Sequence, residues 1–361
     1  MSLNNDIRPE SQSSKESQPD KESQPSKESQ PSKEFQLWEE SGQFLELAQS
    51  GHRVFYRQWG KHDADASQTC LLLHGFPECS FSFHKVADGL LDIFERVIVF
   101  DMLGYGLSDK PKGLKHLIST NGSEKKSTQH KAGFSYSLLE QADVALQVWD
   151  KLGVNGGHII SHDMGTSVLT EIVARSDDQH AIDDSNSSFF KQGIQSLTFT
   201  NGSMVLDLAK LRLMQRLLLS RLGPFISQFS SYSVFRKSVI SAHGANQEHA
   251  LNEYDIKYLW KHFCHKDGNK KGHYLIRYLN DRKRYEKSRW LPALTKASET
   301  IPTHFCWGEA DQVARVVMAS HLSTQVCPDA QLTIMPKVGH FCQLGSPDLW
   351  LSSVKPFYQS L

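Results

Sequence analysis

Short apolar segments alternate along this chain with longer segments of helical periodicity, and this alternation constrains the fold more than any other feature. A β-hairpin is predicted first, from Phe44–Ala48 and His52–Gly60, with its turn at Ser50-Gly51. Further strands are predicted at Cys70–Leu73, Arg96–Asp101, Gly157–His162, Ile194–Thr200, Thr303–Trp307 and Gln331–Met335. Helices are predicted at Leu138–Leu152, Thr166–Ala174, near Val313–Val326 and near Pro347–Phe357. Such alternation favours an α/β fold with a mostly parallel, doubly wound sheet.

The alternation stops between residues 203 and 294, where the sequence is helix-like and rich in basic and aromatic residues. A helical block inserted between two strands of one sheet predicts a cap over the carboxyl edge of that sheet. The predicted organisation is therefore a core of residues 35–202 and 295–361 with a helical cap of residues 203–294. Two polar stretches, 113–133 and 177–188, are predicted to be loop insertions.

Residues 1–34 differ from the rest of the chain in composition. They contain three apolar side chains, and from Lys15 a six-residue unit, Lys-Glu-Ser-Gln-Pro-x, repeats. A proline in each unit prevents a continuous helix, and the segment cannot bury enough apolar surface to offset its chain entropy. We expect a disordered tail; the alternative is a docking or regulatory segment, for which the sequence names no partner.

Charge and cysteine content exclude several classes of protein. The 40 basic and 40 acidic side chains balance, so no global field attracts nucleic acid, and no nucleic-acid-binding motif is present. No apolar run approaches the 18 residues or so of a membrane span. The six cysteines include no C-x-x-C pair, which is typical of free thiols in a reducing compartment. Because the first residues also lack the apolar stretch of a secretory signal, a cytoplasmic location is expected.

The segment Ile159–Gly165 (IISHDMG) follows a predicted strand and opens a predicted helix, which is the layout of a nucleophile elbow. Asp163 occupies the nucleophile position between small residues, whereas Ser161 lies two residues too early. A carboxylate with an ordinary pKa of about 3.9 is ionised at neutral pH and needs no base to activate it. It can attack a saturated carbon and form an ester that water then cleaves. The alternative is an aspartate that only caps the helix.

Two further loops and one turn supply the rest of a predicted active site. The His-Gly turn after the strand at residue 73 points the amide of Phe76 into the site, where it would form an oxyanion hole with the amide of Met164. Asp311 and His340 each follow a predicted strand near the end of the chain, so they are the predicted acid and base. The chain order nucleophile, acid, base is that of the α/β-hydrolase arrangement. Asp207 is the alternative acid.

No cofactor or metal is predicted. The sequence has neither a G-x-x-x-x-G-K-[ST] nor a G-x-G-x-x-G motif for a nucleotide. His262, Cys264, His265 and His273 fit no standard zinc spacing, so packing within the cap is the favoured interpretation. A small apolar or amphipathic substrate is expected.

Five motifs carry a family resemblance that spans roughly residues 35–361: HGFPE at 74–78, DMLGYGLSDKP at 101–111, SHDMG at 161–165, WGEAD at 307–311 and GH at 339–340. The chain resembles the α/β-hydrolase superfamily, and its aspartate elbow resembles the epoxide hydrolase and haloalkane dehalogenase branch. SLTFTNGSM at 196–204 and YLNDRKRYEKSRW at 278–290 make it most similar to the mesoderm-specific transcript protein family. The resemblance implies Asp163 as nucleophile, His340 as base and Asp311 as acid.

One departure from the branch bears on the reaction. Met164 stands where relatives commonly carry a tryptophan whose N–H holds a leaving halide, which disfavours a haloalkane substrate. A haloacid or haloalkane dehalogenase stays as a further alternative. An epoxide hydrolase is therefore the favoured interpretation, and a catalytically silent binding protein of the same fold is the main alternative. Relatives donate a proton to the epoxide oxygen from cap tyrosines, and the candidates here are Tyr278 first, with Tyr258 and Tyr274; ordinary packing is the alternative for each.

Overall fold

A computed structural model describes residues 33–113, 133–178, 187–243 and 249–361 of the chain. Its centre is an eight-stranded sheet in the order β1-β2-β4-β3-β5-β6-β7-β8. The two pairs that involve β2 are antiparallel, and the remaining strands pair in parallel. The strands are β1 (Gln43–Glu46), β2 (Arg53–Gly60), β3 (Thr69–Leu73), β4 (Arg96–Phe100), β5 (Gly156–His162), β6 (Gly193–Thr200), β7 (Thr303–Gly308) and β8 (Gln331–Met335).

Helices pack against both faces of this sheet. The α-helices of the core are α1 (Lys33–Glu40), α2 (Ala87–Leu90), α3 (Leu138–Lys151) and α4 (Met164–Ser176), and those of the cap follow between β6 and β7. The cap helices are α5 (Leu213–Leu219), α6 (Gly223–Gln228), α7 (Tyr232–His243), α8 (Glu253–Cys264), α9 (Gly272–Leu275), α10 (Tyr278–Tyr285) and α11 (Leu291–Ser298). The last are α12 (Val316–His321), α13 (Cys342–Gly345) and α14 (Pro347–Gln359). Helix α3 packs on α4, which packs on α11, whereas α2 packs on α14.

The predicted α/β-hydrolase architecture is confirmed, and the central strands explain why. Every residue of β3, β4 and β5 is buried, as expected of parallel strands covered on both faces. Each predicted strand is present with ends shifted by at most two residues, and β8 has the predicted bounds. The predicted helix near 313–326 is shorter than expected, since α12 starts at Val316 and a π-helix, Leu322–Val326, continues it.

The predicted tail of residues 1–34 lies outside the described residues except for its last two, which begin α1. Most of the predicted insertions 113–133 and 177–188 also lie outside them. Within the ranges described, no helix is both long enough and apolar enough to cross a bilayer.

Helix α1 connects the core to the cap. Trp38 is buried, with its ring edge-on to that of Phe81 at 5.6 Å between centroids. Glu39 reaches α8, where its Oε1 accepts a hydrogen bond from Lys261 Nζ at 2.6 Å and lies 3.1 Å from His262 Nε2. The hydrogen bond with His262 is the main cause of a pKa of about 2 for Glu39. Trp38 and Glu39 are therefore part of the folded unit, on the core side of the predicted tail boundary at 34.

The cap is also tied to the core through α4. The buried carboxylate of Glu171 accepts hydrogen bonds from Arg175, Arg289 and Trp290. The last two belong to a π-helical turn, Glu286–Trp290, that joins α10 to α11. Because a buried charge is stable only when it is paired, this network fixes the end of the cap on α4.

Candidate active site

Asp163 lies in the tight turn between β5 and α4. Its backbone has φ 45° and ψ −110°, a conformation that costs energy for any residue except glycine. Its neighbours leave room for this turn: a Cβ on Gly165 would lie 2.5 Å from the carbonyl oxygen of Leu73, and one on Gly75 would lie 2.6 Å from the Asp163 Cβ. Glycine is therefore required at both positions for strand, elbow and helix to approach so closely.

The Asp163 side chain faces a backbone donor and an imidazole. Its Oδ2 accepts a hydrogen bond from the amide of Phe76 at 3.0 Å, and its Oδ1 lies 3.7 Å from His340 Nε2. Asp163 is 2% exposed, so these contacts occur away from bulk water. Met164, the other predicted oxyanion residue, is the first residue of α4. Ser161 points elsewhere, since its hydroxyl donates to the carbonyl of Thr198 at 3.2 Å.

His340 is held from its other side by Asp311. Nδ1 of His340 donates to Oδ2 of Asp311 at 2.9 Å. The Asp311 carboxylate is itself fixed by Asn201 Nδ2 at 2.7 Å and by the backbone amides of Val313 and Ala314 at 2.6 and 3.0 Å. These bonds set the position of the carboxylate, which in turn orients the imidazole.

Asp207, the alternative acid, lies at the surface. Its side chain is 71% exposed and pairs with Lys287 Nζ at 2.6 Å. Asn201 directly follows β6, and its Oδ1 accepts a hydrogen bond from the amide of Gly308 at 3.1 Å. Asn201 has φ 48°, and sequence reasoning did not single it out.

A second buried ion pair lies behind His340, and sequence reasoning missed it. Oε1 of Glu78 lies 2.9 Å from Nε2 of His162, and both side chains are fully buried. Oε2 of Glu78 accepts a hydrogen bond from Gln343 at 3.0 Å. Burial opposes ionisation, but pairing with His162 lowers the pKa of Glu78 below its ordinary value. Both residues lie in motifs that carry the family resemblance: Glu78 is the last residue of HGFPE, and His162 directly precedes Asp163.

The surrounding carboxylates set the charge of His340. Burial lowers its pKa, but Asp311 in direct contact, with Asp163 and Glu78 nearby, more than offsets burial and raises the pKa to about 9. His340 is therefore an imidazolium at neutral pH. The side chains of this site influence one another's charge.

An apolar cavity of about 540 Å³ opens over Asp163 and His340. Its volume lies within the range of small-molecule sites. Core residues form its floor and cap residues form its walls; among the latter are Leu218, Ile226, Phe235, Val239 and Phe263. Few polar groups reach it, and Tyr278 is one of them.

Tyr278 is the predicted cap tyrosine that the structure brings to the site. It is buried, and its ring lies 5.9 Å from that of Phe76, between centroids. Arg282 stacks over this ring at 4.8 Å and donates hydrogen bonds to the Ser167 hydroxyl and the Asp163 carbonyl. Burial raises the pKa of Tyr278 above its ordinary value, so the hydroxyl stays protonated at neutral pH.

The other two tyrosine candidates lie outside this cavity. Tyr258 packs on Phe81, and its hydroxyl lies 3.4 Å from Oε1 of Glu39. Tyr274 stacks on Tyr136 at 5.8 Å between ring centroids. Ordinary packing, the alternative raised for all three, describes these two. His74 is likewise structural, because its Nε2 accepts the amide hydrogen of Met102 at 3.0 Å.

Metal-ligating side chains come together at one place in the described ranges. Suitable atoms of Glu78, His162 and His340 lie within 4.8 Å of one another. The Glu78–His162 pair and the bond of His340 to Asp311 already account for this grouping. The histidines and cysteine of residues 262–273 form no comparable group among the residues described.

The fold and the site together define an α/β-hydrolase. Residues 69–347 match the alpha/beta hydrolase fold family, and the chain belongs to it. LipZ of Mycobacterium tuberculosis is 32% identical over 310 residues, covering 86% of this chain and 93% of LipZ. The human mesoderm-specific transcript homolog protein is 29% identical over 334 residues, covering 90% of this chain and 87% of its own.

Solved structures confirm the fold. Haloalkane dehalogenase DbeA from Bradyrhizobium elkani superposes with a TM-score of 0.65 at 19% identity, covering 89% of this chain and 98% of DbeA. Together with the family match, these similarities identify the chain as an enzyme of the α/β-hydrolase class and confirm the resemblance drawn from its motifs.

Proposed function

We propose that this protein is a hydrolase with Asp163 as its nucleophile, acting through a covalent ester, and that it most resembles an epoxide hydrolase. The observation that carries the proposal is the strained elbow itself. Its carboxylate lies at an apolar cavity, between the Phe76 amide at 3.0 Å and the His340 imidazole at 3.7 Å. An aspartate that only capped a helix would need neither the imidazole nor the cavity.

The two oxygens of Asp163 have different roles in this mechanism. Oδ1 attacks a carbon of the epoxide, the ring C–O bond breaks, and the ring oxygen takes the proton of the Tyr278 hydroxyl. Oδ2 remains bonded to the Phe76 amide and becomes the carbonyl oxygen of the ester. When water attacks the ester carbon, the negative charge develops on Oδ2, where the Phe76 and Met164 amides stabilise it.

The charge of His340 changes between the two steps. Ester formation removes the Asp163 charge, which is one of the groups that raise the His340 pKa. The imidazole therefore loses its proton more readily in the intermediate than in the free enzyme. Neutral His340 can then accept a proton from the attacking water while Asp311 stabilises the imidazolium that forms. The proton that His340 released returns to the Tyr278 phenolate. When the tetrahedral adduct collapses, the bond between the Asp163 carboxyl carbon and the product oxygen breaks, and that oxygen takes the remaining proton of the water. The diol leaves, and Asp163 and the His340 imidazolium are regenerated.

The residue after the nucleophile argues against release of a halide. The Met164 side chain has no N–H, and its sulfur accepts the hydroxyl hydrogen of Tyr105 at 3.2 Å. A departing halide would therefore lack a donor at this position, whereas an epoxide oxygen stays attached to the product and needs a proton, which Tyr278 supplies.

The covalent step is tested with His340→Gln. Attack by Asp163 should survive while hydrolysis of the ester stalls, so incubation with a panel of apolar epoxides should leave a mass adduct on the peptide that contains Asp163. Asp163→Ala should give no adduct, and Asp207→Asn, which changes a surface aspartate, should turn over like the wild type. An adduct on Ser161, or full turnover by Asp163→Ala, would refute the aspartate mechanism.

Tyr278→Phe tests the assignment to epoxides. The change keeps the ring and removes the hydroxyl, so we expect adduct formation to slow by roughly 10²-fold or more, in line with the loss of a general acid. Tyr274→Phe is the matched control, because that ring lies on Tyr136 and not in the cavity. Wild-type rates in Tyr278→Phe, or a protein that opens no epoxide, would contradict the epoxide assignment while leaving the aspartate nucleophile open to esters and halides.

A further inference from the structure

The cap exposes an unusual amount of apolar side chain. Eight of the 13 large apolar side chains that are exposed in the described residues lie between positions 211 and 240. Leu213, Leu222, Phe225 and Phe229 are 71%, 64%, 66% and 67% exposed, and the two phenylalanine rings lie 4.8 Å apart between centroids. Contiguous exposed apolar surface of this kind marks an interaction site in a protein.

Part of this surface surrounds the entrance to the cavity. Five side chains both line the cavity and are more than a third exposed, and we call them the cap rim: Leu213, Leu217, Phe225, Phe229 and Val234. The same cavity contains Asp163 and His340 at its other end. Whatever covers the cap rim therefore faces the route into the site.

This segment carries a net positive charge, although the net charge of the whole chain is zero. Residues 208–243 contain six lysines and arginines and no aspartate or glutamate. Arg212 and Arg236 turn to protein partners, since they bond to the Ser238 carbonyl and the Glu253 carboxylate. Four cations remain exposed around the cap rim: Lys210, Arg216, Arg221 and Lys237.

We propose that the cap rim docks on an anionic lipid surface and admits substrate from that surface into the cavity. Leucine and phenylalanine side chains bordered by lysine and arginine are the composition with which a helix lies in a membrane interface. The exposed cations match the negative potential of anionic headgroups. A second copy of the chain fits less well, because a two-fold contact would place the same basic segment, residues 208–243, against itself.

The proposal also specifies a substrate class for the enzyme, and this part of it rests on the proposed function. A cavity of about 540 Å³ lies within the range that holds small organic ligands. Its walls are mostly aliphatic and aromatic. An amphipathic compound with a flexible apolar chain would enter from the lipid phase with that chain already out of water.

Docking is tested with the full chain and vesicles, without reference to turnover. Wild-type protein should float with phosphatidylcholine vesicles that contain phosphatidylserine, bind more weakly to phosphatidylcholine alone, and dissociate as salt is added. The double variant Phe225→Ser with Phe229→Ser should bind the anionic vesicles roughly tenfold more weakly or worse, since two large rings no longer leave water. The double variant Arg216→Gln with Arg221→Gln should lose most of the preference for phosphatidylserine.

Matched controls separate docking from folding and from catalysis. Val317→Ser with Leu361→Ser alters two exposed apolar residues outside the cap segment and the cap rim, and should bind like the wild type. Circular dichroism establishes that each variant is folded. Asp163→Ala should also bind vesicles like the wild type, because docking does not depend on the nucleophile. Wild-type protein that binds anionic vesicles but turns over no epoxide would count against the proposed function and not against docking.

Three results would overturn docking. The first is wild-type protein that fails to float with anionic vesicles at low salt. The second is a phenylalanine double variant that binds as well as the wild type. The third is a dimer, measured by sedimentation velocity, that this double variant dissolves while vesicles bind neither form; the cap rim would then be a contact between copies.

Discussion

The raised pKa of His340 predicts how stability depends on pH. A histidine in an unfolded chain titrates near 6.5, whereas His340 in the folded protein titrates near 9. The folded state therefore binds this proton more tightly than the unfolded state does. The stabilisation is complete below pH 6.5 and is lost as the pH rises through 9. A difference of about 2.5 pKa units corresponds to about 3 kcal/mol in the free energy of unfolding.

His340→Gln removes this dependence. We expect the difference in unfolding free energy between wild type and variant to shrink by up to about 3 kcal/mol as the pH rises from 6.5 to 9. Urea denaturation at a series of pH values measures it, with the protein free of substrate so that Asp163 stays ionised. A difference that does not change across this range would refute the carboxylate cluster as the cause of the raised pKa.

His304 supplies the control of opposite sign. Burial lowers its pKa to about 4, so the folded protein keeps it neutral. Its contribution is present above pH 6.5 and is lost as the pH falls toward 4. His304→Gln should therefore shift stability by a constant amount between pH 6.5 and 9. A pH-dependent shift in that window would show that general repulsion, and not His340, sets the slope.

Three further changes test the scaffold around the site. Gly165→Ala should cost more than about 2 kcal/mol, seen as a fall in Tm, because its Cβ would meet a strand carbonyl at 2.5 Å; Gly272→Ala, with its nearest atom at 3.5 Å, should cost little. Glu171→Gln should destabilise by about 3 kcal/mol in urea, since it leaves two arginines short of their buried partner. Asn201→Leu should lower kcat roughly tenfold with little change in KM, because the acid of the triad loses a bond of 2.7 Å.

Local sequence was sufficient for the fold and for much of the candidate site. The central strands could be predicted because β3, β4 and β5 are short, fully buried runs, and β8 matches its predicted bounds. Asp163, Asp311 and His340 could be placed at one sheet edge because each follows a parallel strand. The geometry brings these three side chains together, as the chain order led us to expect.

Contacts between distant segments could not be predicted in this way. Glu78 and His162 are 84 positions apart, and nothing in either local pattern shows that one pairs with the other. Tyr274 and Tyr278 share a helical spacing, yet one lies against the core and the other in the cavity, because the chain between them bends from α9 to α10. Side-chain direction across a cap depends on how the cap is seated, which single-sequence periodicity does not contain.

Helix α1 helps to hold the cap in place on the core. The carboxylate of Glu39 holds α8 through Lys261 and His262, and it does so from helix α1, which does not line the cavity. The range of movement open to the cap therefore depends on a side chain that touches neither substrate nor catalytic residue. A recombinant chain that begins at residue 41, just before β1, would keep Asp163, Asp311 and His340. It would lack the Glu39 contacts, so we expect its cap to be less firmly held on the core.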